Sequence, residues 1–365
     1  MFSLKGRCRY FFMLNKKTTE ALHGIAILMM IYHHLFIGGN ALYVNEGKSI
    51  LSVFDYINLT GSGSAQLGFA WFCKLCVAIF AFTSGYALFL QLDKKGGFKD
   101  MLRYVPRRLW SFYRKYLLAF LFFVGCSFFM ARDSFDFGFS NFILSLLGLK
   151  AGYNSTWWYV PVYYLMVILS PFIYVLLKKI NMKAYLAAGC FVVLCLVISL
   201  ASGNLMVFLK FISNCIQNNT TIYLLIFAEG MFCARYGLID KIGSKFNLAT
   251  SLIVLVAVYV LRSKLIRDAS DPLFDLMLIT PYIISMCRIL SYSDGIEKFF
   301  GYFGRYSAYM WYAHAYFYAY LFFIYVVNFD LSLMVYVQVV LYSLACAIVF
   351  TEIERKLFSR KKKPL

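Results

Sequence analysis

Apolar runs close to twenty residues long recur along this chain from end to end. That is the length an α-helix needs to cross about 30 Å of bilayer hydrocarbon at about 1.5 Å per residue. In such a solvent every backbone N–H and C=O has to find its partner inside the segment or a closed sheet, which leaves only helices and barrels. The short alternating segments of a transmembrane barrel are absent. The chain is therefore expected to be all-α, a polytopic membrane helical bundle. The runs place ten spans at about 20–37, 67–90, 115–131, 157–177, 184–201, 220–236, 247–261, 272–291, 303–327 and 331–351. Composition agrees, with 62% hydrophobic and 15% charged residues, where a soluble domain is nearer half and a quarter. The early apolar patch from Tyr10 to Leu14 is too short for the core of a cleavable signal peptide.

A net charge of +19 could point to nucleic acid, but the positions of the charges decide against it. With the N-terminus in the cytoplasm, Lys and Arg favour the inner loops and tails by about four to one, a strong positive-inside bias. Both termini are then cytoplasmic. Residues 1–18 form a basic arm, 19–351 a membrane domain and 352–365 a basic tail, in a multi-pass protein of the plasma or inner membrane. The ten cysteines are scattered as small packing residues. Cys73-Lys-Leu-Cys76 has redox or metal spacing, but no second pair accompanies it, and no metal site is expected. Asn58-Leu-Thr60 is a glycosylation sequon in an external loop over 38–66.

Three of the four histidines, His23, His33 and His34, lie in the first span. At about 100° per residue His23 and His34 fall on one helix face, roughly 16 Å apart along the axis. Ionisable groups at membrane depth are disfavoured and mark a site or a pathway by default. His33 reads better as a structural hydrogen-bonder. The second span carries a small-residue notch, Thr83-Ser84-Gly85, beside Tyr86, where a helix or substrate could come close. A dense basic segment follows, in which Arg103, Arg107 and Arg114 share a face and Arg108 sits beside it. Two readings stand side by side there: a dock for a phosphorylated ligand, since guanidinium forks match phosphate oxygens, or anchoring to the inner leaflet.

Trp157, Trp158 and Tyr159 open the fourth span and read as an aromatic belt, with the lining of a site as the second reading. Glu229 in the sixth span should face the interior and meet a histidine or Arg235. Asp275 in the eighth span lies nearer its outer end and is less informative. In the ninth span Ser307, Trp311 and His314 fall on one face, so the fourth histidine is also embedded.

These stretches together resemble the acyltransferase 3 family of integral-membrane acyltransferases. The pieces are A-L-H-G-I-A-I-L-M-M-I-Y-H-H-L-F, F-A-F-T-S-G-Y-A-L-F, R-R-L-W-S-F-Y-R-K-Y, W-W-Y-V-P-V-Y-Y, A-E-G-M-F-C-A-R-Y-G and F-G-R-Y-S-A-Y-M-W-Y-A-H, in that order over about residues 16–350. Members typically carry a basic residue, usually Arg, ahead of a first-span histidine. Here His34 matches the histidine, and His23 stands at the basic position. The resemblance implies a cytoplasmic acyl-CoA donor, most often acetyl-CoA, and no permanently bound cofactor. It implies as acceptor a sugar hydroxyl on a lipid-linked or exported glycan, as in O-acetylation of surface polysaccharides. On that reading His34, or its neighbour His33, supplies the base, and His23 joins them as a catalytic residue at the family's basic position. Arg103, Arg107, Arg108 and Arg114 hold the donor, while Ser84, Tyr86, Trp157, Glu229, Ser307 and His314 give lining or support. Two other readings remain: an inactive member, because His23 is not permanently charged, or a transporter or flippase with the histidines and Glu229 as a proton relay. Against the transporter, no repeated halves are seen.

Overall fold

The computed structural model describes residues 14–38, 63–179, 219–265, 271–322 and 332–358. Among these residues helices account for all regular structure. They are α1 (Lys16–His33), α2 (Gly63–Cys73), α3 (Cys76–Leu92), α4 (Phe98–Met130), α5 (Phe139–Leu146), α6 (Tyr159–Lys179), α7 (Asn219–Tyr236), α8 (Leu238–Gly243), α9 (Leu248–Val260), α10 (Asp271–Leu290), α11 (Asp294–Ala315) and α12 (Ser332–Phe358). Five stretches are long and apolar enough to cross a membrane: Lys16–Ile37, Gly68–Leu92, Phe98–Met130, Ser155–Lys179 and Leu333–Phe358. Helices α7, α9, α10 and α11 coincide with four further expected spans without meeting that standard. The expected span at 184–201, the Asn58 sequon with most of its loop, most of the basic arm and the end of the basic tail fall outside the described residues.

Helix α4 runs unbroken for 33 residues with Pro106 inside it, so the expected third span and the basic segment before it form one helix. At about 1.5 Å per residue it is about 50 Å long, well beyond the hydrocarbon thickness. Similarly, α11 begins at Asp294, nine residues before the expected start of the ninth span.

Two crossings hold the centre together, and glycine makes both. Where α1 meets α11, a Cβ on Gly24 would overlap the Phe300 carbonyl, and one on Gly304 would overlap the Glu20 carbonyl. Where α3 meets α7, Gly85 and Gly230 stand in the same relation to the Phe227 and Phe82 carbonyls. Bare backbone surfaces let membrane helices approach closely, where dispersion and packing rather than water drive association. Local signals place the helix starts. The Asn15 side chain accepts from Lys17 N at 2.8 Å and Thr18 N at 3.1 Å, and the Ser293 hydroxyl caps α11. Thr18 then donates to Glu297 at 2.7 Å, pinning the two helices at that end. Gly85→Val should destabilise the protein by about 3 kcal/mol, the upper end for overpacking, because the obstacle is backbone and cannot rotate away. Thermal unfolding in detergent followed by tryptophan fluorescence tests this. An unchanged midpoint would mean the two helices do not meet there.

Candidate active site

Between α1, α3, α4, the start of α6 and α11 lies a cavity of about 260 Å³. Its walls follow helical spacing. Helix α4 contributes Arg108, Ser111, Phe112 and Lys115, and α11 contributes Gly304, Ser307, Ala308 and Trp311, each set at i, i+3, i+4 and i+7. Helix α1 presents His23 and Met30, and the turn that follows it presents His34. Ser84 comes from α3, and Trp158, Tyr159 and Tyr163 close the side formed by α6.

The Thr83-Ser84-Gly85 notch divides its labour. Thr83 Oγ1 donates to the Ile79 carbonyl at 2.7 Å, so its oxygen accepts from His23 Nε2 at 2.8 Å. In the neutral ring His23 therefore keeps an Nδ1 lone pair. Ser84 faces the cavity, and Gly85 makes the helix crossing.

His34 opens a π-helical turn, His34–Gly38, a widening of the helix often found at functional sites. Its ring centre lies 5.3 Å from that of His33 and 5.3 Å from that of His314. His33 is outside the cavity wall and donates through Nδ1 to the Ala70 carbonyl at 2.9 Å. His314 is fully buried and donates through Nδ1 to the Trp311 carbonyl at 2.7 Å.

The cavity wall carries three cations, Arg108, Lys115 and Arg305, and no carboxylate among the described residues. Arg108 is aimed by a hydrogen bond from Nε to the Tyr163 hydroxyl at 2.9 Å. The other three arginines of the expected donor set do not join it. Arg103 and Arg107 are exposed, with Arg103 3.5 Å from Asp100. Arg114 is spent on Glu354 at 2.7 Å, whose other oxygen accepts from Tyr309 at 3.1 Å.

Several expectations change here. Trp157 and Trp158 do not form a belt. Trp157 is buried and donates to the Tyr312 carbonyl at 3.2 Å, Trp311 donates back to the Thr156 carbonyl at 3.1 Å, and Trp158 lines the cavity. This reciprocal pair fixes the entry to α6 against α11. Glu229 meets neither a histidine nor Arg235. Thr280 donates to it at 2.5 Å, while Arg235 donates to the Lys178 carbonyl at 3.1 Å. Arg262 and Asp275 form an ion pair of 2.7 Å with both side chains fully buried. Tyr86 is buried outside the cavity wall, and Cys73 and Cys76 are buried free thiols flanking the break between α2 and α3.

Residues 19–352 match the family model described as an acyltransferase domain, acyltransferase 3. The chain belongs to that family. No curated protein and no solved structure matches it. Every residue lining the cavity lies inside the matched region. It is a membrane acyltransferase. Sequence reasoning reached His23, His34, Ser84, Arg108 and Ser307 but missed Ser111, Lys115, Thr156, Tyr163 and Arg305. For Ser111 and Lys115 a signal existed, their i+3 and i+7 spacing from Arg108.

Proposed function

We propose that this acyltransferase moves an acyl group, acetyl in the first instance, from acyl-CoA to a sugar hydroxyl of a lipid-linked or exported cell-surface glycan. The observation that supports this is one cavity holding His34 together with three cations and, among the described residues, no acidic wall residue. Coenzyme A is a polyanion ending in a thioester, and such a wall favours its phosphates through charge-assisted hydrogen bonds. The pantetheine arm then runs along the apolar side made by Met30, Val77 and Phe80 toward His34. Trp158, Tyr159 and Trp311 supply flat apolar faces against which a sugar ring can lie.

In this reading His34 removes the proton of the acceptor hydroxyl as its oxygen attacks the thioester carbonyl. The developing oxyanion is met by Arg108 or the Ser84 hydroxyl, since preorganised donors aimed at the developing charge usually contribute most to the acceleration of acyl transfer. Collapse expels the thiolate, which takes the proton back from His34. His23, hydrogen-bonded to Thr83 and sharing the cavity wall with Arg108, stands where relatives usually carry Arg. Arg108 supplies the permanent charge in the same cavity.

Calorimetric titration of the detergent-purified protein with acetyl-CoA tests the donor. Arg108→Ala should weaken binding by roughly 10- to 100-fold, the worth of one charged hydrogen bond. Arg103→Ala should bind like the unsubstituted protein. The reverse order would return the donor site to the exposed face of α4, and no saturable binding up to millimolar donor would remove acyl-CoA from the reading.

A further inference from the structure

We propose that His314 is a positioning residue that sets the tautomer of His34, turning the lone pair of His34 toward the cavity. This rests on His34 being the general base. The Trp311 carbonyl can only accept, so the Nδ1 of His314 that contacts it at 2.7 Å carries the ring hydrogen. In the neutral ring Nε2 then holds a lone pair and no hydrogen. That Nε2 is buried and has no hydrogen-bond partner among the described residues. Buried acceptors left unpaired are rare and call for an explanation.

Of the two rings in contact with His314 that can donate, Tyr318 at 5.9 Å and His34 at 5.3 Å, His34 is the nearer. Its ring centre lies 5.3 Å away, and the two planes are tilted by 38°. Two imidazoles joined by one N–H···N bond have centres about 5 Å apart, with N···N about 3 Å and each nitrogen about 1 Å from its ring centre. The separation is thus that of one hydrogen bond, and a small turn of the His34 ring completes it. Among the described residues His34 makes no other hydrogen bond that would oppose that turn. His33 lies equally near but is next in the chain, and consecutive helical residues point about 100° apart and do not face each other.

With one nitrogen of His34 donating to His314, the other presents its lone pair to the acceptor. The hydroxyl proton moves to that nitrogen, the new C–O bond forms, the C–S bond breaks, and the same proton passes to the thiolate sulfur. His314 holds the transient imidazolium through its neutral Nε2 and gains no proton itself.

The chain has four histidines, so ¹⁵N-histidine NMR of the protein in lipid nanodiscs reads each tautomer once single His→Asn variants assign the signals. In the unsubstituted protein His314 should be the Nδ1–H form and His34 a single tautomer. Two populated tautomers of His34 would overturn the pairing without any variant. His314→Leu should give mixed His34 tautomers with the His23 and His33 signals in place, whereas His314→Gln, whose amide oxygen can accept, should restore one form. Transfer of label from [¹⁴C]acetyl-CoA to saccharide is followed in membrane vesicles of the producing cell. His314→Leu should lower kcat by about 100-fold at unchanged KM for acetyl-CoA, and His314→Gln should lie within about tenfold of the parent. Equal losses in Leu and Gln, or no loss in Leu, would overturn the proposal. Full transfer by His34→Ala would overturn the general-base reading instead, and the NMR result alone then decides the pair.

Discussion

His34→Ala is expected to lower acyl transfer by about 10²- to 10⁴-fold, the range a positioned general base contributes, while acetyl-CoA still binds. The split follows from the layout of the cavity. The cations proposed to meet the donor come from α4 and α11, whereas His34 opens the π-helical turn that follows α1 and makes no hydrogen bond to Arg108 or Lys115. Removing an imidazole that only borders the cavity leaves α1 anchored at Gly24 and Asn15, so the protein should fold. Transfer and calorimetry are therefore measured on the same preparation. Lost transfer with retained binding supports the base. Full transfer would remove His34 from the chemistry and leave the cavity as a donor site in search of its base. His33→Ala is the useful comparison, because His33 is outside the cavity wall and is tied to the Ala70 carbonyl.

The second large effect is on stability. Asp275→Leu should destabilise the protein by about 3 kcal/mol, since it breaks a buried ion pair by removing the partner of a fully buried Arg262. A loss of that size is a large part of the total stability of an ordinary domain. The double variant Arg262→Met/Asp275→Leu should recover most of it, because a packed apolar pair often replaces a buried ion pair at little cost. Unfolding midpoints in detergent separate the two. Equal losses in single and double variants would assign the effect to shape rather than charge. Neither residue lines the cavity, so acetyl-CoA binding per folded molecule should be unaffected in both.

What the residues revealed in advance divides by physical cause. A polar group inside an apolar span is anomalous wherever it sits, and that anomaly marks His23, His34, Ser84 and Ser307 before any packing is known. Which helices meet is set by surfaces that one sequence does not pair, so Arg305 and Thr156 carry no signal. The arginines mislead for a related reason. Arg103, Arg107 and Arg114 form the conspicuous stripe, yet a stripe of charge on an amphipathic helix is usually its solvated face. Arg108, about 100° round from Arg107, is the one turned inward. The tryptophans mislead in the opposite direction: at a span boundary a belt is the ordinary reading, and only the reciprocal bonds to Tyr312 and Thr156 show them as part of the interior. The Arg262–Asp275 pair stays hidden because each partner lies near the end of a different run, where a charge looks harmless.

The three cations of the cavity wall have a consequence for the membrane itself. A polar hollow among membrane helices is a potential leak, and a cell that holds a proton or sodium gradient cannot tolerate one. Fixed positive charges on a wall that carries no carboxylate among the described residues raise the electrostatic barrier to a passing cation, as rings of Arg do in anion-selective pores. On the proposed donor reading, Arg108, Lys115 and Arg305 would serve twice, holding an anionic donor and resisting protons and alkali ions.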